Sequence, residues 1–582
     1  MRRYFVKILE VQNFSYKYPK QENYVLENIQ FSIKEGDLYI LCGQSGCGKS
    51  TLLRSIKKHQ LMVGEKEGFI LFRGTEIEEM DNRENAEKIG FVGQNPDGQM
   101  VTDKVWHELA FGLESLGCSN ENIRRRVAEM AEYFGISDLF EKSIDTLSGG
   151  QKQIVNLAAV MVMQPDLLLL DEPTSQLDPI AAERFIQTIQ KINQDFGVTI
   201  LMSEQRLAEV FPIANGVLVM HQGKLEGAEK PKLCGTSIYQ SKSPVYAALP
   251  ETMKLFLELG EEGEAPITIR EGVQWLRKKE LSDNPFRLEN RLRKKETKER
   301  NRKLVEKKKP VFWKNSKIKK RNQNFALVAK NISYSYEKKA TKILKDFQIQ
   351  IPKGCIYAIM GGNGSGKTTC LKILAEIYKP QSGSCKKKGQ VVYLPQNPQL
   401  LFTEPTVCEE LEEVFFGHPK LFAELTETEI VEQIEHMLQW LELEEYQNRH
   451  PYDLSGGQQQ RLAFAKILLL KPDILLLDEP TKGLDAAFKG KMSQLFQELK
   501  QKGITIVLVS HDVDFCAENA DYCGLLFQGE FTQIETTNEF FKNNYFYTTA
   551  TSRLLQRIAP EENLITHKQA LQWLKRKLGV IE

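Results

Sequence analysis

The sequence lacks the features that would tie it, by itself, to a membrane, a metal ion or an oxidising compartment. Its 582 residues contain no run that approaches the ~18 apolar residues of a membrane-spanning helix. The opening stretch MRRYFVKILEVQNFSY also lacks the apolar core of a signal peptide. The ten cysteines are scattered without a C-x-x-C pair, so neither a zinc site nor a disulfide framework is expected, as in a reducing cytosol. A net charge of +1 gives no overall attraction to nucleic acid or anionic lipid, and any membrane role would need a partner.

What the sequence does contain is two copies of one unit, about 300 residues apart. Both copies keep their motifs in the same order, which indicates a fused pair of domains rather than a solenoid. The matching stretches are LYILCGQSGCGKSTLL (38–53) with IYAIMGGNGSGKTTCL (356–371), LSGGQKQ (147–153) with LSGGQQQ (454–460), DLLLLDEPTSQLD (166–178) with DILLLDEPTKGLD (473–485), and EGVQWLRKK (271–279) with QALQWLKRK (569–577).

The repeat predicts the domain boundaries. We expect a first domain at 1–232 with a C-terminal extension at 233–282, a basic linker at 283–324, and a second domain at 325–540 with an extension at 541–582. The linker is rich in Lys and Arg and poor in apolar residues. It is either a solvated connection or a basic arm for RNA or lipid headgroups, in which Phe312 and Trp313 could dock or stack.

Each copy carries a phosphate loop of the form G-x-x-x-x-G-K-[ST], placed between a short apolar stretch and a leucine-rich one. Glycines let the backbone approach the phosphates, Lys49 and Lys367 would bridge the β- and γ-phosphates, and Ser50 and Thr368 would ligate Mg²⁺. The residues expected to bind nucleotide here are Gly43, Ser45, Gly46, Cys47, Gly48, Lys49, Ser50 and Thr51, and Gly361, Asn363, Gly364, Ser365, Gly366, Lys367, Thr368 and Thr369.

Two carboxylates end an apolar run of buried-strand length in each copy. Asp171 and Asp478 would hold Mg²⁺ at the strand end, directly or through water. Glu172 and Glu479 would face the γ-phosphate and polarise the attacking water. Phosphoryl transfer mainly needs positioning and charge neutralisation, and this arrangement supplies both.

Together with these motifs, the two L-S-G-G-Q signatures resemble those of the nucleotide-binding domains of ABC ATPases, over both copies. The resemblance implies an α/β fold with two tandem ABC-type P-loop nucleotide-binding domains. Each would have a RecA-like core, an antiparallel β subdomain and a helical subdomain, followed by a small C-terminal extension. It also implies head-to-tail docking, in which each ATP lies between the phosphate loop of one domain and the signature of the other. Ser-Gly-Gly before a helix presents N–H groups and a positive dipole end to the γ-phosphate.

One chain would then hold both halves of both sites, as an internal pseudo-dimer. The first site would combine Lys49, Asp171 and Glu172 with Ser455, Gly456, Gly457 and Gln458. The second site would combine Lys367, Asp478 and Glu479 with Ser148, Gly149, Gly150 and Gln151. The resemblance also gives roles to other pairs: Gln94 and Gln396 touch Mg²⁺ or the attacking water, Tyr18 and Tyr336 stack on adenine, and Asp178 and Asp485 communicate between the sites.

The two copies differ at the position where the family has a histidine that contacts the γ-phosphate. His511 fits this position in VLVSHD, whereas the first copy has Gln205 in SEQRLAEV. Glutamine can donate a hydrogen bond but cannot carry a positive charge. We therefore predict unequal catalytic sites, with slower hydrolysis at the first.

The segment VGQNPDGQMVTDKVWHELAFGLESLG (92–117) resembles the energy-coupling factor (ECF) ATPases of vitamin and metal-ion importers, and so do the two C-terminal tails. This resemblance implies an ATPase at the cytoplasmic face of the membrane. Its partners would be a transmembrane coupling subunit and a small membrane-embedded substrate-binding subunit. Asp97, Gln99 and WHELAFG are candidates for the docking surface, or else for local packing. A nucleic-acid partner is not expected, although a soluble translation factor of the ABC-F kind stays open as an alternative because of the basic linker. A DNA-repair ATPase fits least, since its zinc modules and long coiled coils are absent from the sequence.

Overall fold

The structure is a computed structural model that describes residues 6–19, 21, 23–60, 63–283, 324–337 and 342–579. Apart from its two end residues, the predicted basic linker lies outside the described residues, and so do Phe312 and Trp313. No helix in the described parts of the chain is long and apolar enough to cross a membrane.

The first copy is built around a six-stranded sheet whose central strands are parallel. Strands such as Leu167–Asp171 and Thr199–Ser203 are buried along their whole length, because helices cover both faces of the sheet. In spatial order, the strands are Lys224–Glu229, Gly216–His221, Leu38–Gly43, Thr199–Ser203, Leu167–Asp171 and Ile89–Val92.

A second, antiparallel sheet of the first copy packs on this core and shares its apolar cluster. Its strands are Leu26–Lys34, Lys7–Lys17, Glu65–Phe72 and Thr75–Glu76. The helices of the first copy are Lys49–Ser55, Asn82–Lys88, Val105–Ser115, Asn120–Tyr133, Gly149–Met161, Pro179–Phe196, Leu207–Val210, Pro231–Gln240, Glu251–Glu258 and Ile269–Asp283.

The second copy repeats this architecture with a six-stranded sheet and a three-stranded antiparallel sheet. The six strands, in spatial order, are Val391–Leu394, Ile474–Asp478, Thr505–Val509, Ile356–Met360, Tyr522–Phe527 and Glu530–Thr536. The three strands are Leu344–Pro352, Phe325–Tyr334 and Ser382–Lys387. The helices are Lys367–Leu374, Val407–Gly417, Glu427–Trp440, Gly456–Leu469, Ala486–Gln501, Val513–Asn519, Thr537–Asn543, Ala550–Leu555 and His567–Leu578.

The last helices of the two copies pack against each other in one apolar cluster, the extension interface. It contains Leu255, Leu259, Val273 and Leu276 of the first copy and Leu554, Leu555, Ile558, Ala570 and Leu574 of the second. The predicted fold of two tandem α/β P-loop units, each followed by a small helical extension, is therefore confirmed, and the extensions hold the two copies together.

Candidate functional site

The first phosphate loop leaves the carboxyl end of strand Leu38–Gly43 and opens helix Lys49–Ser55. Gly48 has a φ of 103°, a left-handed conformation that glycine adopts without steric cost. The buried Lys49 Nζ donates to the carbonyl oxygens of Gly43 at 2.9 Å and Gln44 at 3.0 Å. The loop therefore closes around its own lysine.

The second loop has the same geometry. Lys367 Nζ donates to the carbonyl oxygens of Gly361 and Gly362, both at 3.0 Å, at the start of helix Lys367–Leu374. Gly366 has a φ of 100°. Burial lowers the pKa of Lys367, while the neighbouring Glu479 and Asp478 act in the opposite direction. Both predicted loops therefore form, each with its lysine in the same place.

In the first site, the side chains predicted to act on Mg²⁺ and water form one hydrogen-bonded group. Ser50 Oγ donates to Asp171 Oδ1 at 3.0 Å, and Gln94 Nε2 donates to Glu172 Oε2 at 3.4 Å. Lys49 Nζ lies 3.5 Å from Glu172 Oε1. Burial raises the pKa of Glu172, although Lys49 and Gln205 oppose this. Residues far apart in sequence are thus brought to one sheet edge.

In the second site, Glu479 and His511 are neighbours. His511 Nε2 lies 3.3 Å from Glu479 Oε1 without the alignment of a hydrogen bond, while the backbone N–H of His511 donates to Glu479 Oε2 at 3.2 Å. Burial raises the pKa of Glu479 to about 7. Burial, together with Lys367, lowers the pKa of His511 to about 4. The imidazole is therefore neutral at pH 7 in the nucleotide-free chain.

The Gln205 side chain occupies the histidine position of the first site in a different way. Its Nε2 donates directly to Glu172 Oε1 at 2.9 Å. This hydrogen bond uses the carboxylate oxygen that would otherwise be free to orient a water molecule. Neither side chain is charged here, but only the imidazole of His511 can take up a proton.

The second site also contains buried polar atoms without hydrogen-bond partners among the described residues: Ser365 Oγ, Asp478 Oδ1 and Glu479 Oε1. Such atoms are rare in folded proteins and mark a place where a ligand or ion is expected. No group of three or more His, Cys, Asp or Glu side chains that could hold a metal ion occurs in the described residues. One carboxylate and one hydroxyl fit Mg²⁺ that takes its other ligands from phosphates and water.

The predicted adenine-stacking tyrosines lie beside the loops. Tyr18 shares a 3.1 Å hydrogen bond with Thr51 Oγ1, and Tyr336 shares one of 3.0 Å with Thr369 Oγ1. Tyr336 is 58% exposed, so its ring is available to a base. Tyr16 is fully buried instead.

Each signature forms the start of a helix. Ser148 Oγ accepts from the Gln151 backbone N–H at 3.3 Å, and Gln151 Oε1 accepts from the Ser148 backbone N–H at 2.9 Å. Ser455 and Gln458 form the same reciprocal cap. Because the side chains satisfy these two N–H groups, the remaining N–H groups of the first turn face outward.

The two copies meet across their sites. The Ser45 N–H of the first loop donates to Asp485 Oδ2 of the second copy at 3.3 Å. Asp178 of the first copy lies close enough to Lys367 and His511 to influence their pKa values. The loop of each copy thus faces the predicted communicating aspartate of the other.

A cavity of about 1820 Å³ opens between the copies at the second site. Its walls include Lys367, Glu479 and His511 of the second copy and Asp178 and Arg206 of the first. Of the described residues, the signature stretch 148–151 does not line this cavity. The structure therefore brings the phosphate loop of each copy close to the communicating aspartate of the other copy, while the signature of the first copy lies outside the cavity.

Sequence reasoning missed several side chains that complete the sites. Ser203 Oγ donates to Asp171 Oδ1 at 2.8 Å, whereas Asp478 Oδ2 accepts from Tyr393 at 3.3 Å. The two hydroxyls come from different strands, so aligning the copies pairs Ser203 with a valine and Tyr393 with a phenylalanine. Lys482 is a further missed residue, and its only signal is that it replaces a serine in the repeated D-E-P-T segment.

Two phosphate loops, each with a strand-end Asp-Glu pair and a capped glycine-rich helix, define a P-loop ATPase with two nucleotide sites. The family model described as "ABC transporter" matches residues 26–175 and 344–482. A protein of Bacillus thuringiensis subsp. konkukian (strain 97-27), named "Putative ABC transporter ATP-binding protein", is 38% identical over 95% of this chain and 96% of its own. This chain belongs to the ABC transporter ATPase family, and it binds and hydrolyses ATP.

Two further comparisons bear on its relatives. A Bacillus subtilis (strain 168) protein named "Putative HMP/thiamine import ATP-binding protein YkoD" is 29% identical over 91% of this chain and 93% of its own. An archaeal ribosome recycling factor, aABCE1, solved with the ribosomal stalk protein aP1, has a TM-score of 0.54 at 20% identity, over 91% of each chain. At that identity, the likeness shows the fold alone.

Proposed function

We propose that this chain is the ATPase subunit of an ECF-type importer for a vitamin, a vitamin precursor or a metal ion. It would act at the cytoplasmic face of the membrane, on a transmembrane coupling subunit and a small substrate-binding subunit. The observation that carries the proposal is a pair of exposed apolar surfaces beside the loops that contain Gln94 and Gln396. The name of the Bacillus subtilis relative, a putative HMP/thiamine import ATP-binding protein, supports a role in import.

The first docking surface consists of the exposed side chains of Val101, Trp106 and Phe111, and a buried glutamate fixes its position. Glu108 Oε2 accepts from the backbone N–H groups of Val101 at 3.1 Å and Thr102 at 2.9 Å. This clasp ties the loop after Gln94 to helix Val105–Ser115. The loop exposes Val101, 66% of whose surface is accessible, and the helix exposes Trp106 and Phe111. An apolar patch on a fixed element suits a protein partner.

The second docking surface is also fixed by a buried glutamate that accepts hydrogen bonds from two backbone N–H groups. Glu410 Oε1 accepts from the backbone N–H groups of Thr403 at 2.5 Å and Glu404 at 2.7 Å, and the buried Glu410 is paired with Lys466. Helix Val407–Gly417 then exposes Phe416, which is 75% accessible. The apolar side chains differ between the copies, as expected where two arms of one asymmetric partner dock.

Of the docking candidates named from the sequence, Gln99 has a packing role. Its Oε1 accepts from the Gly93 backbone N–H at 2.6 Å and from Asn156 Nδ2 at 2.8 Å. Asp97 lies 2.5 Å from Lys152 Nζ. Both contacts join the Gln94 loop to helix Gly149–Met161, which begins at the signature. We infer that a movement of the first docking surface is transmitted to the signature through these contacts.

The site residues act as follows in this proposal. Lys49 and Lys367 would hold the β- and γ-phosphates. Ser50 with Asp171, and Thr368 with Asp478, would hold Mg²⁺, which would neutralise phosphate charge. Glu172 and Glu479 orient the attacking water, with Gln94 and Gln396 beside them. Ser455–Gln458 and Ser148–Gln151 close on the γ-phosphate bound to the other copy. Hydrolysis is slower at the first site because Gln205 hydrogen-bonds Glu172 and cannot take up a proton.

The extension interface keeps the copies attached while the cavity between them closes and opens. Closure brings the signatures toward the phosphates, and release after hydrolysis separates them again. The distance between the two docking surfaces then changes with each cycle. This change would move the membrane subunits.

The test is co-purification from detergent-solubilised membranes of the source organism, with the tagged chain as bait. We expect a multi-helix membrane protein to be recovered, and to be lost with Trp106→Ser or Phe416→Ser. Phe69→Ser is the matched control, because Phe69 lies on the antiparallel sheet and its exposure of 54% falls between those of Trp106 and Phe416. Recovery of ribosomes instead would favour the ABC-F alternative, and an unchanged yield in all three variants would contradict the docking surfaces.

A further inference from the structure

The two ATP sites differ in how open they are. The Ser45 N–H, within the first phosphate loop, donates to the Asp485 carboxylate. A carboxylate on a phosphate-loop N–H takes the place of a phosphate oxygen. A cavity of about 30 Å³ lies beside Gly43, Gln205 and Asp485, which is room for one or two water molecules. A phosphate oxygen can take this position on the Ser45 N–H only after Asp485 moves away.

The second site is open by comparison. Its loop residues Asn363, Gly364, Gly366 and Lys367 line the cavity of about 1820 Å³ between the copies. Glu172 and Gln205 of the first site also face this cavity, but no residue of the first phosphate loop (43–51) does. The counterpart of Asp485 is Asp178. The Oδ1 of each caps its own helix, with Asp178 accepting from Ala181 N–H at 2.8 Å and Asp485 from Phe488 N–H at 2.9 Å. Among the described residues, no N–H of the second loop donates to Asp178.

The sites also differ in charge. Lys482 stands three residues after Glu479, and the first copy has Ser175 at this position. Lys482 is half-buried on the cavity wall, and its ammonium has no hydrogen bond or ion pair within the described chain. Burial lowers its pKa, while Glu479 raises it. A triphosphate placed nearby would favour the protonated ammonium further.

A buried glutamate makes the first site more negative than the second. Glu204, which is 2% exposed, accepts hydrogen bonds from the backbone N–H groups of Thr174, Gln205 and Arg206. Burial is the main cause of the raised pKa of Glu172. The charge of Glu204 raises this pKa further, whereas Lys49 lowers it. The second copy has the neutral Ser510 in place of Glu204.

The exchanges of Ser175 for Lys482 and of Glu204 for Ser510 each make the second site more positive by one charge. The neighbouring exchange of Arg206 for Asp512 has the opposite sign, but Asp512 is paired with Lys489 at 2.6 Å. Arg206 of the first copy lies close enough to Lys482 and His511 to lower their pKa values, so its charge also acts at the second site.

We propose that ATP binds first to the second site, and that Lys482, Glu204 and the Asp485 contact with the first loop set this order. This inference rests on the proposed roles of the two phosphate loops, but not on the identity of any membrane partner. A unit charge about 10 Å from a phosphate, at an effective dielectric constant of about 20, changes affinity on the order of tenfold. Loading of the second copy then draws the halves together and displaces Asp485 from the first loop.

The experiment is photolabelling of the purified full-length chain with a limiting concentration of 8-azido-ATP on ice. Proteolysis and mass spectrometry then assign the label to peptides around Tyr18 or around Tyr336. We expect roughly tenfold more label in the second copy, decreasing as salt is raised because the preference is electrostatic. Equal labelling, or a preference for the first copy, would overturn the proposal.

Three variants separate charge from structure. Lys482→Ser should lower labelling of the second copy about tenfold, whereas Lys482→Arg should retain it. Asp485→Asn should increase labelling of the first copy, and it preserves the helix start because Asn caps as well as Asp. Equal behaviour of Lys482→Ser and Lys482→Arg would contradict a role of charge. Because no membrane partner is present, the labelling order and co-purification succeed or fail independently.

Discussion

Replacing His567 should remove a pH-dependent part of the stability of the extension interface. Its Nδ1 lies 2.8 Å from Glu251 Oε1 and its Nε2 lies 3.1 Å from Glu258 Oε2, both on a helix of the first copy. Burial alone would lower the pKa of His567, but its bonds to the two carboxylates raise it to about 9. The imidazolium is therefore the charged link between the two extensions at neutral pH.

The magnitude follows from this pKa. A rise from the ordinary 6.5 to about 9 corresponds to about 3 kcal/mol. The imidazole is 22% exposed, so we reduce this to about 2 kcal/mol. Because the folded-state pKa is the higher one, the stabilisation is fully present below pH 6.5 and is lost as the pH rises through about 9.

The interaction with His567 also changes the pKa of Glu251. Burial would raise its pKa, but His567 and Lys254 lower it to about 2. Its contribution is therefore present above the ordinary pKa of 4.5 and is lost as the pH falls through about 2. The two shifts describe one pair and are counted once.

Urea unfolding followed by tryptophan fluorescence suits this test, because Trp275 and Trp573 lie in the extensions. His567→Gln should be less stable than the unchanged protein by about 2 kcal/mol at pH 6, and by close to nothing at pH 10. His418→Gln, at an exposed histidine, is the matched control. A difference that is absent at pH 6, or the same at both pH values, would refute the reasoning.

Other predictions concern the catalytic groups and the buried Glu410–Lys466 pair beside the second docking surface. Glu479→Gln should reduce steady-state ATPase activity more than Glu172→Gln, since the first site is the slower one, and single-turnover assays would show whether the order is reversed. Gln205→His should raise the turnover of the first site, as measured in the Glu479→Gln background, because it frees Glu172 and adds a group that can be protonated. Lys466→Met should destabilise the second copy by about 3 kcal/mol, because it leaves the buried Glu410 charge without its partner; an unchanged urea midpoint would show that the pair is not needed.

Much of each site could be predicted because its chemistry needs particular residues at fixed spacing. The phosphate loops require glycine where φ is positive, as at Gly48 and Gly366, and the strand-end acids follow unmistakable apolar runs. The repeat itself made the exchange of His511 for Gln205 visible, because each copy serves as the reference for the other.

Contacts between the copies could not be predicted in this way. The Ser45–Asp485 contact joins residues 440 positions apart, and His567 is a lone histidine with no motif around it. Such contacts depend on how two folded units approach each other, which local patterns do not encode. Tyr393 and Ser203 show a related difficulty, because the hydroxyl that donates to Asp171 or Asp478 comes from a different strand in each copy.

The central claim is that each nucleotide is held between the two copies of one chain. The most direct measurement is an experimental structure of the Glu172→Gln/Glu479→Gln protein with ATP and Mg²⁺, in which turnover is blocked. We predict that the γ-phosphate near Lys49 accepts hydrogen bonds from Ser455 and its neighbours, and that the γ-phosphate near Lys367 does so from Ser148. Two nucleotides each enclosed within a single copy, with both signatures still withdrawn, would contradict the account.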